Sequence, residues 1–367
     1  MPTQASQAVE AGELHGVRIS NGFSIRKEMF ILKRGEDFLA LPVPLDKMII
    51  MEPTPKITKP VLHLDFADAL GKGVKNNNFL HNLLARHYEV KIVDNPDVLI
   101  FTHYGHRNRL YSCKKIFYTQ ERYLPDWKQC DAAVTSAFCE DPRAYYYPFF
   151  AAYRKGENLV RPANFDWQRV LDKPRGFCSF LHKYANRSVR PRTEFFHQLN
   201  RRKKVDSGGL AFNNVGYEVP GTAGRAKMDF ISQYRFHIAF ENRLAPGWTT
   251  EKFTDPFEAH SIPIYWGDSK ALQWFNPKAF VNVSDFRNFS ECCDYILHLE
   301  NSREDYARML MEHPLKNNKV PEIYDDQRLL EFLVREIERP GIPAARRRWF
   351  WPFTRWRLVK RDRIHGK

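Results

Sequence analysis

The residues best suited to chemistry stand in one segment, Tyr234 to Asp268, which reads YRFHIAFENRLAPGWTTEKFTDPFEAHSIPIYWGD. The run ending at Glu241 has strand character and Asn242 to Gly247 is a polar loop. Glu251–His260 fits a helix opened by Thr249 or Thr250, and Ile262–Trp266 a strand ended by Gly267. A threonine N-cap followed by Glu251 and Lys252 leaves free helix N–H groups beside a cation. An anion suits that place, and a phosphate near Lys252 is doubly favoured. A plainer role fits the same residues: Glu251 and Lys252 as solvated first-turn groups, Glu251 complementing the helix dipole, and Trp248 as core packing. Pro256 falls inside the predicted helix at a cost of about 3 kcal/mol if it lies beyond the first turn, which puts the helix length in question.

The elements around that segment alternate. Val61–Phe66, Tyr88–Val93, Val98–Thr102 and Lys115–Thr119 read as apolar strands, with a helix over Leu80–His87. After an aperiodic stretch at 151–174, strands follow at Phe177–Leu181, Phe236–Glu241, Ile262–Trp266 and Ala279–Val283, with an Arg- and Pro-bearing turn before Thr193–Leu199 and a helix over Phe289–Leu299. Such alternation predicts parallel sheets covered by helices, hence an α/β protein of two Rossmann-like lobes with a cleft between them. In such sheets a ligand lies outside the carboxyl ends of the strands. The expected division is residues 1–58 as an extension of unknown role, 59–155 as the first lobe, 156–335 as the second with its linker, and 336–367 as a tail.

Length and composition narrow the classes. A chain of 367 residues exceeds what one core comfortably fills, and 43% hydrophobic with 27% charged residues excludes wholesale disorder and a disulfide mini-scaffold. Of the +14 net charge, a large share sits in Ala344–Lys367, where nine basic residues face only Asp362. The polycation is a tail rather than a stripe across the fold, which argues against the non-enzymatic alternative of a nucleic-acid-binding protein. In that tail Trp349, Phe350, Trp351, Phe353 and Trp356 interleave with arginines, a pattern that suits an anionic membrane surface, although nucleic acid or no partner at all fits the same residues. Six cysteines without a CxxC pair fit a reducing cytoplasm, and neither a membrane span nor an export signal is recognisable. No Asp-x-Asp triplet occurs, so no metal and no cofactor are expected.

FEN, a loop, GWTTEK, a helix and IPIYWG together resemble the α-1,3-fucosyltransferase family, especially its bacterial, lipopolysaccharide-modifying members. KIFYTQERYLPD at 115–126, VDSGGLAFNNVGY at 205–217 and FNPKAFVNVSDF at 275–286 are similar to that family in the same order, so the likeness covers about 60–335. It implies a GT-B fold, with an acceptor lobe followed by a lobe for GDP-fucose. Lys252 is then expected on the diphosphate and Glu251 near the fucose, with Asn242, Thr250 and Trp248 also at the donor. Trp248 replaces the family's usual Tyr, and an indole still stacks on a guanine face.

By the same resemblance, an arginine for the diphosphate comes from the turn after FCSFL. Its spacing to Leu199 favours Arg192, whereas the spacing from the preceding strand favours Arg190; Arg187 suits a solvated loop. Glu121 corresponds to the family's general base, with Asp126 as competitor. The implied reaction is inverting transfer of fucose from GDP-β-L-fucose, expected at O3 of N-acetylglucosamine or glucose in an oligosaccharide or lipid-linked glycan. The expected setting is the cytoplasmic face of the inner membrane, the tail on anionic lipid. Another GDP-sugar or another hydroxyl is the enzymatic alternative.

Overall fold

The computed structural model describes residues 29–34, 37–42, 59–68, 75–153, 155–185, 189–220 and 224–346. The aromatic and basic run from residue 347 onward, and Arg187, lie outside the described residues. The chain divides into two units at Thr58. In the first, β1 (Met29–Arg34) and β2 (Asp37–Pro42) pair antiparallel from Met29↔Pro42 to Arg34↔Asp37, a hairpin in a stretch to which the sequence reading assigned no element.

The unit from Lys59 onward contains two sheets, each wholly parallel. The first comprises β3 (Val61–Ala67), β4 (Glu89–Ile92), β5 (Val98–Phe101), β6 (Lys114–Thr119), β7 (Ala132–Thr135) and β8 (Ala144–Tyr146), in the order β4-β3-β5-β6-β7-β8. The second comprises β9 (Gly176–Phe180), β10 (Val205–Ser207), β11 (Tyr234–Phe240), β12 (Ile262–Trp266) and β13 (Val281–Asn282), in the order β10-β9-β11-β12-β13. Central strands such as β5 (VLIF) and β7 (AAVT) are buried at every residue, because parallel strands carry helices on both faces. The strand order reverses between β9 and β11, and the crevice beyond their carboxyl ends is the preferred ligand position in an open α/β sheet.

The helices are α1 (Phe79–Leu84), α2 (Phe149–Tyr153), α3 (Trp167–Asp172), α4 (Arg190–Arg202), α5 (Arg225–Ile231), α6 (Glu251–Glu258), α7 (Phe289–Asn301), α8 (Arg303–Met311) and α9 (Asp326–Glu338). Several differ from expectation for local reasons. α4 starts at Arg190 rather than after a turn, since Pro191 in the first turn surrenders an N–H that has no helical partner anyway. α6 ends at Glu258, two residues short: Pro256 offers no N–H to the Lys252 carbonyl, and His260 at φ 53 turns the chain out, with Ser261 N–H closing onto the Pro256 carbonyl at 2.8 Å. The predicted strand Ala279–Val283 shrinks to Val281–Asn282, because Asn276 and Asn282 each cap a short 3-10 turn on either side of it.

The expected boundary at 335 also needs correction. Leu329, Leu330, Phe332 and Leu333 of α9 join the core around Leu62, Leu80, Leu84 and Tyr88 in the first lobe. Tyr147 Oη donates to Asp326 at 3.0 Å, and Lys114 Nζ donates to the carbonyls of Glu336, Ile337 and Arg339, closing the helix C-terminus. One apolar cluster runs from the first lobe through Phe150 and Leu159 into Phe253, Phe257 and Phe275, while the second sheet keeps a core of its own around Phe180, Phe195, Phe236 and Phe240. No helix among the described residues is long and apolar enough to cross a membrane.

Candidate functional site

β11 runs fully buried from Phe236 and delivers Glu241 and Asn242 to the crevice. The following loop is fixed from the other lobe: Phe138 N–H donates to the Pro246 carbonyl at 2.7 Å and Tyr146 Oη donates to that of Gly247, while Gly247 N–H reaches Asp268 Oδ2 at 2.8 Å. Gly247 has φ 74, and a Cβ there would lie 2.9 Å from Phe138 and from Tyr146, so only glycine permits this crossing. Trp248 is 4% exposed, with its indole N–H 3.4 Å from the Gln120 carbonyl. This corrects the expected stacking on guanine: the ring is enclosed at the junction of the lobes and offers no open face.

Thr250 caps α6, and around it lies a buried network of charge. Glu241, 1% exposed, accepts from Thr250 N–H at 2.6 Å and from Thr250 Oγ1 at 2.9 and 3.0 Å. Lys252 Nζ donates to Thr250 Oγ1 at 2.9 Å and lies 3.6 Å from Glu241 and 3.7 Å from Glu251. Glu251 faces Lys227 at 3.6 Å, and Lys227 pairs with buried Asp255 at 2.6 Å. Burial holds the Glu241 carboxyl above its usual range against the pull of Lys252. For Lys252 burial presses downward, yet Glu241 and Glu251 keep the ammonium above its usual range. Burial pushes Glu251 up, and Lys252 and Lys227 more than offset it, so its carboxyl stays ionised.

Two arginines that the sequence left unresolved separate here. Arg192 is 1% exposed, donating to Asn242 Oδ1 at 2.8 Å and to the Tyr184 carbonyl at 2.9 Å, while its buried Nε–H has no hydrogen-bond partner among the described residues. Burial pulls this guanidinium down to about 10 against the pull of Glu241. The Arg190 side chain is 83% exposed and, among the described residues, meets only Glu194, at 3.9 Å. Beside Arg192, His182 directs Nε2 to the Ile238 carbonyl at 3.2 Å, and burial plus the charges of Arg192 and Lys252 keep it neutral.

On the first lobe, Glu121 follows β6. Its N–H donates to Thr119 Oγ1 at 3.0 Å, and its carboxylate has no hydrogen-bonding or ionic partner among the described residues. Gln120 is pinned by Tyr118 Oη at 2.8 Å and Ser136 Oγ at 3.2 Å, which fixes the strand end that carries Glu121. Asp126 instead spends its carboxylate on its own turn, accepting from Lys128 N–H at 3.0 Å and Gln129 Nε2 at 2.6 Å. Among the described residues, no group of three His, Cys, Asp or Glu side chains is placed to hold a metal ion.

The structure thus brings Asn242, Thr250, Glu251, Lys252 and Arg192 to the second-lobe crevice and leaves Arg190 outside. It adds Glu241, Lys227, Asp255 and His182, to which the sequence reading gave no role. For Glu241 a signal existed, a carboxylate at a strand's carboxyl end. Lys227 and Asp255 lie on different helices, and nothing in their spacing announces the pair. Chemically, a buried guanidinium with an unspent N–H beside an ammonium at a helix N-terminus suits an oligophosphate.

Two family models match the chain: the α-(1,3)-fucosyltransferase FucT N-terminal domain over 61–153 and the C-terminal domain of glycosyltransferase family 10 (fucosyltransferase) over 170–317. An α-(1,3)-fucosyltransferase of Helicobacter pylori is 32% identical over 279 residues, covering 65% of this chain and 56% of that protein, and a mouse α-(1,3)-fucosyltransferase is 28% identical over 44% of this chain. The chain therefore spans little more than half the length of the Helicobacter relative. A crystal structure of an α1,3-fucosyltransferase with GDP-fucose aligns at TM-score 0.64 and 26% identity, over 80% of this chain and 95% of that one; another with GDP aligns at 0.62 and 27%.

Proposed function

The chain belongs to glycosyltransferase family 10, the fucosyltransferases, and we propose that it moves L-fucose from GDP-β-L-fucose, with inversion, to O3 of an N-acetylglucosamine or glucose unit in a lipopolysaccharide or Lewis-type glycan. The observation that carries the reading is the buried Arg192 guanidinium, its Nε–H unspent, beside Lys252 at the N-terminus of α6. Glu121 removes the proton of the acceptor hydroxyl as its oxygen attacks the anomeric carbon. The bond to the β-phosphate oxygen breaks on the opposite face, and GDP leaves with the electron pair. Lys252 and Arg192 stabilise the charge that grows on the diphosphate, so the cations do what a metal ion does in other sugar-nucleotide enzymes. Glu251, held ionised by two lysines, stands nearest the developing positive charge on the sugar; Asn242 orients Arg192, and Thr250 orients Lys252.

The basic aromatic residues near the C-terminus are read as the contact with an anionic membrane surface on the cytoplasmic side. The deciding experiment is release of GDP from GDP-fucose with lactose, N-acetyllactosamine or its β1,3-linked isomer, in excess chelator. Fucosylated product with an α linkage is the expected result. No turnover with any of the three, or turnover only after Mn²⁺ is restored, overturns the substrate or the metal-free part respectively.

A further inference from the structure

The rim that carries Glu121 holds an arrangement that proton removal and departure of GDP do not use. Tyr104 is 65% exposed, Tyr123 50% and Leu124 58%, three large side chains left in solvent. The His103 ring lies between the tyrosines, with centroids 3.8 Å from Tyr104 and 4.2 Å from Tyr123, the latter stacked at 27°. His103 Nδ1 is 3.1 Å from Thr119 Oγ1, the hydroxyl that also accepts from Glu121 N–H. One threonine thus ties the His103 ring to the backbone of Glu121.

The loop that displays these rings is built to be rigid. Asp68, buried and at φ 57, accepts the N–H groups of Arg107 at 2.8 Å and Asn108 at 3.1 Å, and its carbonyl accepts from Thr102 Oγ1. Thr102 Oγ1 in turn accepts from Tyr104 N–H at 3.3 Å. A Cβ on Gly105 would overlap the Asp68 carboxylate, so this residue has to be glycine for the loop to close. A buried carboxylate committed to a surface loop is costly unless the loop must hold its shape. What it holds is a pair of solvent-facing rings.

We propose that Tyr104 and Tyr123, with His103 clamped between them, are the stacking platform for a neutral pyranose of the acceptor and help to set which glycan is fucosylated. The inference rests on the fucosyl-transfer reading above. A pyranose has an apolar C–H face and a hydroxyl edge. The face covers an exposed ring and removes apolar area from water, while the edge presents its hydroxyls to the tyrosine Oη groups and to Glu121. Pre-ordered rings lose little entropy on binding.

The test uses the full chain with Y104A, Y123A, Y104F and Y123F. Each alanine variant is expected to raise the KM for N-acetyllactosamine about tenfold while the GDP-fucose KM stays within about twofold; the phenylalanine variants keep the ring and recover most of the acceptor KM. Saturation-transfer NMR of N-acetyllactosamine, with no donor present, is expected to lose its sugar-ring signals in Y104A. Alanine variants with a wild-type circular dichroism spectrum and an unchanged acceptor KM overturn the platform, as do phenylalanine variants as damaged as the alanines. If the wild type releases no GDP from GDP-fucose, the transfer reading fails instead, and the NMR comparison still decides whether these rings bind a sugar.

Discussion

The two sheet rims treat their functional groups in opposite ways. On the second lobe, Glu241, Glu251, Lys252, Lys227 and Asp255 are paired with one another, and Arg192 is buried with two of its nitrogens bonded. On the first lobe, Glu121 keeps its carboxylate free among the described residues and Tyr104 and Tyr123 stand in solvent. A fixed anion such as a nucleoside diphosphate rewards prearranged charge, which survives burial only if each charge has a partner. A proton acceptor needs an open lone pair, and an acceptor sugar needs an uncovered face. The difference teaches that change on the open rim costs activity alone, whereas change on the closed rim costs activity and stability together.

The largest effect is expected on the open rim. Glu121→Gln should lower kcat by roughly 10²- to 10⁴-fold with GDP binding and thermal stability intact, and Asp126→Asn should stay within about threefold, because Asp126 serves its turn. If Asp126→Asn alone abolishes turnover with GDP binding intact, the assignment reverses.

On the closed rim activity and stability should fall together. Lys252→Ala leaves Glu241 and Glu251 facing each other, so kcat should drop about 100-fold, the GDP-fucose KM should rise, and unfolding should cost about 3 kcal/mol less. Adding Glu241→Gln should restore part of the stability and none of the activity, a coupling that calorimetry on the double-mutant cycle reads directly. Unaltered melting of Lys252→Ala would show that the network is not a structural unit.

Arg192→Ala should weaken GDP binding about tenfold, against less than about twofold for Arg190→Ala, since only the first guanidinium is buried toward the crevice. Titration calorimetry with GDP settles the ranking; the reverse order moves the diphosphate contact to the surface arginine.

The smallest effect concerns pH. Burial pushes His237 down to about 3 and His182 well below its usual range, so both are neutral when folded and accept a proton once unfolded. A depressed folded pKa means that this stability is complete above about pH 6.5 and is lost as pH falls toward the folded value, at up to about 1.4 kcal/mol per pH unit for each histidine. His237→Gln should flatten the slope of unfolding free energy between about pH 6 and 4.5 by close to one proton. An unchanged slope would mean that His237 titrates alike in both states.

Much of this was readable from local signals. The apolar strand runs, the Thr250 cap and the glycine before Trp248 are settled within a few residues, where periodicity and capping act, and the expected strands recur within one or two residues at β3, β5, β6, β9, β11 and β12. Among the boundaries that failed, α1 ends at Leu84 rather than His87, and those at α6 and β13 failed at a proline and at two asparagine caps, which are also local but compete with the pattern around them. Glu241 ends the strand run just before Asn242, and a strand-end carboxylate is ordinary until its burial is known.

By itself the sequence determined the α/β class, the family and the cation at the head of α6, since each is written in residue type and short spacing. Only the tertiary structure buries Arg192 and leaves Arg190 exposed, because the two differ by two positions on one helix and so point to different sides of it. It also paired Lys227 with Asp255, enclosed Trp248 at the lobe junction, and returned α9 to the first lobe. Those outcomes depend on which faces the two sheets turn to each other. Contacts between residues tens of positions apart follow from strand order and crossover geometry, and no short window of sequence contains either.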